Sequence, residues 1–370
     1  MRRTDVRWIR LAAAFLLVLL PGEAARAGGP QIERALLFSG TGDADWVGRG
    51  RLVEHGPTWI FVYVQSGQHG FDKSQIMHVR FSTDEGSTWT EADTLPDGTP
   101  VRGAPLVSHD DDCEVAEGVL VVCPNGDLLL HAMERTPEIS RGTYQYRSAD
   151  GGRSWRDEGK VLGKDTLRVA LGHTIVGEAI YLPMLESARA DTRRVGPLDV
   201  DLYRSVDGGK TWRLVGRIAA GDEGVNETGI AHLGGRTLVA VHRTNAEDRT
   251  RLRRSDDLGR TWGPLVDLGP GVGAVQQPQL KRFADEPHRL YLFGRERIEE
   301  YVQRNALWYS DDQGKSWTKI PLDERALVDT GYGDALKRTD GALCYLAYRG
   351  TDDRAEMFRY VLRPAGAPGR

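Results

Sequence analysis

Four stretches of the sequence place charged or hydroxyl side chains beside short apolar runs that are typical of β-strands. Arginine binds an anionic group through parallel hydrogen bonds, and a carboxylate beside a phenol can accept the phenol's proton. These residue types therefore favour a site that binds an anion and moves a proton. The candidates are Arg49, Arg51, His69 and Asp72 in the first stretch, Glu227 and Arg243 in the second, Arg295, Arg297 and Arg304 in the third, and Tyr332 in the fourth.

Each of these residues also has a purely structural interpretation. Arg243 or Arg304 alone is typical of a surface ion pair, and Tyr332 alone of a core ring whose hydroxyl is hydrogen-bonded. Glu227 is compatible with a turn cap, and Asp72 with a solvated loop charge. Only their occurrence at equivalent places in a repeated architecture favours a shared site.

An eight-residue motif, S-x-D-x-G-x-[ST]-W, occurs five times and marks the strands that must position these residues. Its Asp residues are 66, 57, 50 and 55 positions apart. The five copies run from Ser82 to Trp89, Ser148 to Trp155, Ser205 to Trp212, Ser255 to Trp262 and Ser310 to Trp317.

The motif predicts a hairpin turn. Its Ser and Asp side chains can hydrogen-bond nearby backbone N–H groups, and its shared Gly suits a positive φ. The Trp can fold back beneath the turn, and a strand-like run such as Asp201–Arg204 precedes each copy. We therefore interpret the five Asp residues as structural and not catalytic.

A motif period of 50 to 66 residues is typical of one four-stranded propeller blade per copy. A sixth set, at 332–337, 342–347 and 357–362, has three strands and no motif. The strand predicted at 35–38 can supply its fourth strand and close the ring. The sequence thus predicts an all-β, six-bladed β-propeller with four-stranded antiparallel blades, in one domain at 28–370.

The motif resembles the Asp-box of the sialidase superfamily, and the candidate residues resemble those of the exo-α-sialidases within it. The resemblance implies a retaining glycoside hydrolase that removes a terminal acidic sugar from glycoconjugates. It implies that Tyr332 is the nucleophile, that Glu227 is its partner base, and that Asp72 is the acid/base group.

The resemblance further implies three arginines that hold the sugar carboxylate: Arg49, with Arg51 as its alternative, Arg243 and Arg304. The first blade departs from the family, because Arg49 stands in Gly-Arg-Gly-Arg-Leu where the family has Arg-Ile-Pro. The last blade departs as well, since Tyr348 is followed by Arg349 where the family has Glu. These departures concern the substrate more than the fold.

Two other functions are compatible with the same propeller. Some sialidase-like propellers cleave polysaccharides by elimination from a uronic acid, and His69, Tyr332 and Arg243 would serve that chemistry. The other alternative is a carbohydrate-binding propeller without catalysis, for which the unusual first blade is the main argument.

The chain's amino terminus predicts export. Four arginines precede an apolar run at 11–20, and Ala25-Arg26-Ala27 is typical of a signal-peptidase site. We therefore predict a signal peptide at 1–27 and a secreted or periplasmic protein. A charged fraction of 28% with no long basic run argues against nucleic acid. We expect a monomer with a carbohydrate partner, no membrane association after cleavage, and no cofactor or metal.

The sequence contains three cysteines. Export would permit a disulfide, and Cys113 with Cys123 is the only pair close in sequence. Cys344 lies in an apolar run, which predicts a buried free thiol.

Overall fold

The computed structural model describes residues 30–137, 140–170, 172–187, 198–299, 302–324, 327–351 and 353–363. Within these ranges the chain forms 24 β-strands and two short 3₁₀ helices, so the predicted all-β class is confirmed. The predicted signal peptide at 1–27 lies outside the described residues. No helix in the described ranges has the length and apolar composition needed to cross a membrane.

The strands follow one another as antiparallel hairpins. The first four are β1 (Gln31–Ser39), β2 (Trp46–His55), β3 (Thr58–Ser66) and β4 (Ile76–Ser82). The next nine are β5 (Glu114–Val122), β6 (Leu128–Arg135), β7 (Ser140–Ser148), β8 (Arg156–Lys160), β9 (Leu167–Val169), β10 (Thr174–Val176), β11 (Ala179–Ser187), β12 (Leu198–Ser205) and β13 (Arg213–Ala219). The last eleven are β14 (Val225–Gly234), β15 (Thr237–Thr244), β16 (Thr250–Ser255), β17 (Val266–Asp267), β18 (Ala274–Lys281), β19 (Leu290–Glu299), β20 (Val302–Ser310), β21 (Thr318–Pro321), β22 (Asp329–Lys337), β23 (Leu343–Gly350) and β24 (Ala355–Arg363).

The described strands form a propeller-like set of antiparallel sheets. Three sheets have four strands in simple order, β5 to β8, β14 to β17, and β18 to β21. A fourth sheet runs from β10 to β13, with β9 paired to β11 beside β10. The predicted four-stranded antiparallel blades are confirmed for the first three of these sheets, whereas the fourth has five strands.

The remaining strands form one seven-stranded sheet that joins the two ends of the chain. It has the order β22-β23-β24-β2-β3-β4, and β1 pairs antiparallel with β24. The N-terminal strand therefore completes the last hairpin set, as predicted. β2 and β24 meet through a single parallel pair, Trp46 with Ala355.

The sequence predicts a strand at 170–176, but in the described part of this range only β10 (Thr174–Val176) is a strand, and β9 ends before it at Val169. Between them the Ala170 carbonyl accepts a hydrogen bond from the Thr228 N–H (2.7 Å) of the next sheet. A Cβ at Gly172 would lie 2.6 Å from the Thr228 carbonyl oxygen. The backbone here pairs with the neighbouring sheet, which interrupts its own ladder.

All five Asp-boxes have the predicted turn geometry. In the third copy the Ser205 hydroxyl donates to Asp207 Oδ1 (2.7 Å) and accepts from the Gly209 N–H (2.8 Å). Asp207 also accepts from the backbone and hydroxyl of Thr211. Gly209 has a φ of +82°, which only glycine adopts without strain. Every bond lies within the motif, so each copy folds the same way.

These turns predict a loss of stability in acid. The N–H and hydroxyl of Thr261 lower the pKa of Asp257 to about 2, and the hydroxyl and N–H of Ser316 lower that of Asp312 to about 2. Since a carboxylate in the unfolded chain has a pKa of about 3.9, the stabilisation is present above pH 4 and is lost as the pH falls towards 2.

We therefore expect the melting temperature, measured by circular dichroism, to fall steeply between pH 4 and pH 2. Asp257→Asn should melt at a lower temperature near pH 7, where the charge is lost, and should show a shallower decline in acid. A variant with the same steep acid dependence as the wild type would contradict the role of Asp257.

The three cysteines are free and buried. Cys113 and Cys123 lie at opposite ends of β5, and nine extended residues separate them by about 30 Å. A bond between them is therefore excluded by the strand itself. The buried thiol predicted at Cys344 is confirmed, and burial raises its pKa to about 12.

The first strands of neighbouring sheets lie side by side. β2 contacts both β5 and β22, and β14 contacts β18. Apolar side chains fill the space between the sheets, including the fully buried rings of Trp46, Trp59 and Trp308. The first strands therefore bring distant parts of the chain to one central region.

Candidate active site

A β-bulge interrupts the first strand of five hairpin sets, namely β2, β5, β14, β18 and β22. In each case three steps along the first strand oppose two steps along its partner. A bulge redirects a side chain that would otherwise follow the strand's alternation. The residues inside the bulges include Arg49, Glu117, Glu227, Gln277 and Tyr332.

Three of these bulge residues have a positive φ without being glycine. The values are +55° at Arg49, +52° at Gln277 and +46° at Tyr332. Such conformations cost free energy and tend to cluster at functional sites. Arg49 and Tyr332 line the same cavity, whereas Gln277 donates its backbone N–H to Glu227 Oε2 at the cavity wall.

The cavity has a volume of about 460 Å³ and contains four of the six predicted site residues: Arg49, Glu227, Arg243 and Tyr332. Its wall also includes His69, Glu117, Arg135, Arg168, Asn226, Asn245 and Glu247. Titratable and hydrogen-bonding groups therefore dominate its lining.

Tyr332 and Glu227 are joined by a hydrogen bond at the cavity wall. The Tyr332 hydroxyl donates to Glu227 Oε1 over 3.0 Å, although the residues are 105 positions apart. Burial, together with the negative charge of Glu227, raises the pKa of Tyr332 to about 12. The phenol is therefore neutral and directs its proton at the carboxylate.

Glu227 is held in its ionised form. Burial alone would raise the pKa of its carboxyl group, but the Arg243 guanidinium and the Gln277 N–H outweigh that effect and lower it. Glu227 Oε2 lies 3.1 Å from Arg243 Nη1 and accepts from the Gln277 N–H at 2.7 Å. A carboxylate in this state can take the proton of Tyr332.

Two of the three arginines predicted to bind the carboxylate face the same space. Arg243 pairs with Glu227 and with Glu247, and Glu247 also contacts Arg297 Nη1 at 2.7 Å. Arg49 donates to the carbonyl oxygens of Ala116 (2.7 Å) and His69 (2.6 Å). Both guanidinium groups are thereby fixed at the cavity wall.

Arg304, predicted as the third arginine, does not line the cavity. It stands opposite Glu296 in the β19–β20 register and donates to Glu296 Oε2 at 2.5 Å. Because side chains alternate along a strand, this face is opposite to that of Arg295. Arg295 instead lies behind Tyr332, with its guanidinium carbon 5.0 Å from the ring centre.

Asp72, predicted as the acid/base group, is not among the residues that line the cavity. Its carboxylate accepts from the Gly67 N–H (2.7 Å), the Ser74 N–H (2.9 Å) and the Ser74 hydroxyl (2.6 Å). Partial burial works against these bonds, but they lower the pKa of Asp72. The short loop thus supplies three donors to its own aspartate, which hold the carboxylate within the loop.

Arg51 and Arg349 stand where the sequence departs from the sialidase pattern, and neither is among the residues that line the cavity. Arg51, the alternative first arginine, is fully enclosed and donates to the Gly50 carbonyl oxygen at 2.7 Å. Arg349 pairs with Asp323 at 3.1 Å. Its neighbour Tyr348 donates to Asp329 Oδ1 at 2.8 Å, close to His69.

A family model described as a BNR repeat-like domain matches residues 108–345. The chain belongs to this family. The match covers four of the five Asp-boxes and reaches from the second hairpin set into the last. A comparison with curated protein sequences gave no match.

Solved structures of low sequence identity share the fold of this BNR repeat-like protein. A Dyadobacter fermentans protein of unknown function has a TM-score of 0.69 at 16% identity, with 90% of this chain and 99% of that chain covered. Trypanosoma rangeli sialidase in complex with sialic acid has a TM-score of 0.67 at 16% identity, with 93% and 60% covered. The intramolecular trans-sialidase of Ruminococcus gnavus has a TM-score of 0.64 at 13% identity, with 87% and 95% covered.

The chain thus spans about 60% of the Trypanosoma rangeli enzyme, and these likenesses establish a sialidase-like fold for the BNR repeat-like protein.

The cavity wall includes residues beyond the six predicted ones. The place of Glu117 and Arg135 in the second hairpin set of the sequence indicates the same pocket, and both line the cavity. The sequence does not indicate Arg168, because the strand predicted for this region begins at Ala170 and β9 (Leu167–Val169) lies before it. Glu117 lies in a bulge equivalent to that of Glu227, a relation that only the strand pairing reveals.

Proposed function

We propose that this protein is a retaining glycoside hydrolase of the sialidase type, which removes a terminal acidic sugar from a glycoconjugate. The hydrogen bond between the Tyr332 hydroxyl and Glu227, at the wall of an arginine-containing cavity, carries the proposal. Retaining glycosidases generally use a carboxylate nucleophile, and sialidases with a tyrosine are an exception. A sugar with a carboxylate on its anomeric carbon would repel a carboxylate nucleophile, whereas a neutral phenol avoids that repulsion.

In this mechanism Arg49 and Arg243 bind the sugar carboxylate. Tyr332 Oη attacks the anomeric carbon while Glu227 takes the phenol's proton, and the bond to the leaving oxygen breaks. Positive charge that develops on the sugar is stabilised by the sugar's own bound carboxylate. Water then releases the sugar with retention of configuration.

The direct test is to incubate the wild-type protein with 4-methylumbelliferyl sialoside and follow the released fluorophore. We expect turnover, and ¹H NMR of the first product formed should show the retained anomer. Binding without turnover, unchanged by Glu227→Gln, would instead favour the carbohydrate-binding alternative. If the protein neither turns over nor binds the sialoside, sialic acid is excluded as its ligand.

One observation favours a second candidate, a lyase that acts on a uronic acid. His69 lies in the cavity with its ring centre 5.9 Å from that of Tyr332, an arrangement that suits proton removal and delivery across a sugar ring. Elimination produces an unsaturated sugar that absorbs in the ultraviolet, which hydrolysis cannot do. Absorbance growth on a uronate polysaccharide, without sialoside turnover, would support the lyase.

We also infer a six-bladed ring. The seven-stranded sheet divides at its single parallel pair into β22-β23-β24-β1 and β2-β3-β4, and these two units add to the four separate sheets.

We further propose that the protein is exported as a monomer after removal of residues 1–27. Amino-terminal sequencing of the exported form should begin at Gly28.

A further inference from the structure

The proposed reaction requires a group that protonates the leaving oxygen, and Asp72 is bound within its own loop. Among the described residues that line the cavity, Glu227 is bonded to Tyr332, and Glu247 contacts both Arg243 and Arg297. Two other side chains on the described wall have an imidazole or a carboxyl group, His69 and Glu117.

His69 is oriented by a carboxylate. Its Nδ1 lies 2.7 Å from Asp329 Oδ2, and Asp329 also accepts from the Tyr348 hydroxyl (2.8 Å) and from Arg295 Nη1 (3.0 Å). These bonds outweigh the effect of burial and lower the pKa of Asp329, so the carboxylate is ionised and can only accept. His69 Nδ1 therefore carries a hydrogen.

The imidazole is also held by packing. Its ring centre lies 5.1 Å from that of Trp46 and 6.0 Å from that of Tyr348, and Arg49 fixes the loop through the His69 carbonyl oxygen. The opposite nitrogen, Nε2, forms no hydrogen bond with any described residue. An aspartate that fixes one ring nitrogen leaves the other available for proton transfer.

We propose that His69 is the acid/base residue of this site, oriented by Asp329. Protonated Nε2 gives its proton to the leaving glycosidic oxygen as Tyr332 Oη bonds to the anomeric carbon and Glu227 takes the phenol's proton. Neutral Nε2 then takes a proton from water, whose oxygen attacks the same carbon. The bond to Tyr332 breaks, and Glu227 returns the proton to the phenolate oxygen.

The surroundings of His69 set the direction of its pH dependence. Burial lowers the pKa of His69 most strongly, the bond to Asp329 raises it, and Arg49 and Arg295 lower it, with a net fall below 6.5. The titratable and charged groups that face the ring are Asp329, Arg49, Arg295, Tyr332 and Tyr348. The acid form is therefore lost as the pH rises through a value below 6.5, and turnover should be highest in mild acid.

The inference rests on the proposed function, and its test uses two leaving groups. A 4-methylumbelliferyl group departs with little help, whereas the lactose of sialyllactose needs a proton. His69→Gln should lower kcat/KM for sialyllactose by about 10²- to 10⁴-fold and for the aryl sialoside by less than about tenfold. The alkaline fall of the wild-type pH profile should disappear. His288→Gln, an exposed matched control, should retain the wild-type values for both substrates.

If His69 has only a structural role, His69→Gln should reduce turnover of both substrates by the same factor. That result would overturn the proposal. The proposal would also be overturned if Glu117→Gln or Asp72→Asn lowered kcat/KM much more for sialyllactose than for the aryl sialoside and His69→Gln did not. NMR of protein with ¹⁵N-labelled histidine provides a separate readout, because neutral His69 must carry its hydrogen on Nδ1. A hydrogen on Nε2 overturns the proposal, whereas a wild type that hydrolyses neither sialoside removes the proposed function.

Discussion

Tyr332→Phe is expected to lower kcat for sialoside hydrolysis by at least about 10³-fold, because it removes the atom that bonds to the anomeric carbon. The ring occupies the same space and keeps its contact with the Arg295 guanidinium (5.0 Å), so the fold should be retained. KM should change little, since the arginines still bind the carboxylate. Stopped assays with 4-methylumbelliferyl sialoside at several concentrations would measure both constants.

The matched control is Tyr309→Phe, which removes a phenol hydroxyl from β20, outside the residues that line the cavity. It should keep kcat within about twofold of the wild type. Mass spectrometry of Tyr332 in protein trapped with a fluorinated sialoside provides a second measurement, and the wild type should gain one sugar mass. Tyr332→Phe turnover within tenfold of the wild type would rule out the nucleophile assignment.

Arg243→Gln is expected to lower the free energy of unfolding by about 3–5 kcal/mol, because it leaves a buried charge without its partner. Glu227 is 9% exposed, and Arg243 Nη1 lies 3.1 Å from its Oε2. Glu247 retains Arg297 as a partner, so the cost falls mainly on Glu227. Urea denaturation monitored by tryptophan fluorescence would measure the change.

Two comparisons make that measurement specific. Arg204→Gln removes an exposed arginine from β12 and should change stability by less than about 0.5 kcal/mol. The double variant Glu227→Gln, Arg243→Gln should lose less stability than the two single changes added together, since neither charge is then left alone. Additive losses would show that the 3.1 Å pair contributes nothing to the fold.

The Asp-box turns are the part of the fold that sequence determines most directly. Each turn is closed by bonds within eight residues, as in Ser205 to Thr211, so the local pattern contains its own geometry. The strand that precedes each motif is also predicted from the local sequence. The N-terminal strand's place beside β24 was also predictable, because the last hairpin set lacked a strand and an open edge is unfavourable.

Sequence also indicated Glu227, Arg243 and Tyr332, which the structure brings together at one cavity. Their spacing around predicted hairpins placed them at equivalent ends of the first and second strands. What spacing could not supply was the bulge in each first strand, which turns Tyr332 towards Glu227 across 105 residues. A bulge depends on pairing with a partner strand and leaves little trace in a single sequence.

Only the tertiary structure determines which contacts the side chains of Arg304, Asp72 and His69 make. Strand register sets which face Arg304 occupies, and a shift of one residue would have exchanged it with its neighbour. Asp72 binds donors in its own loop, which leaves His69 of that loop to reach Asp329, 260 residues away. Sequence therefore determined the repeating unit and most of the chemical types at the site, because those depend on local bonds and composition. The tertiary structure decided which individual side chains meet, because that depends on register and on contacts between distant strands.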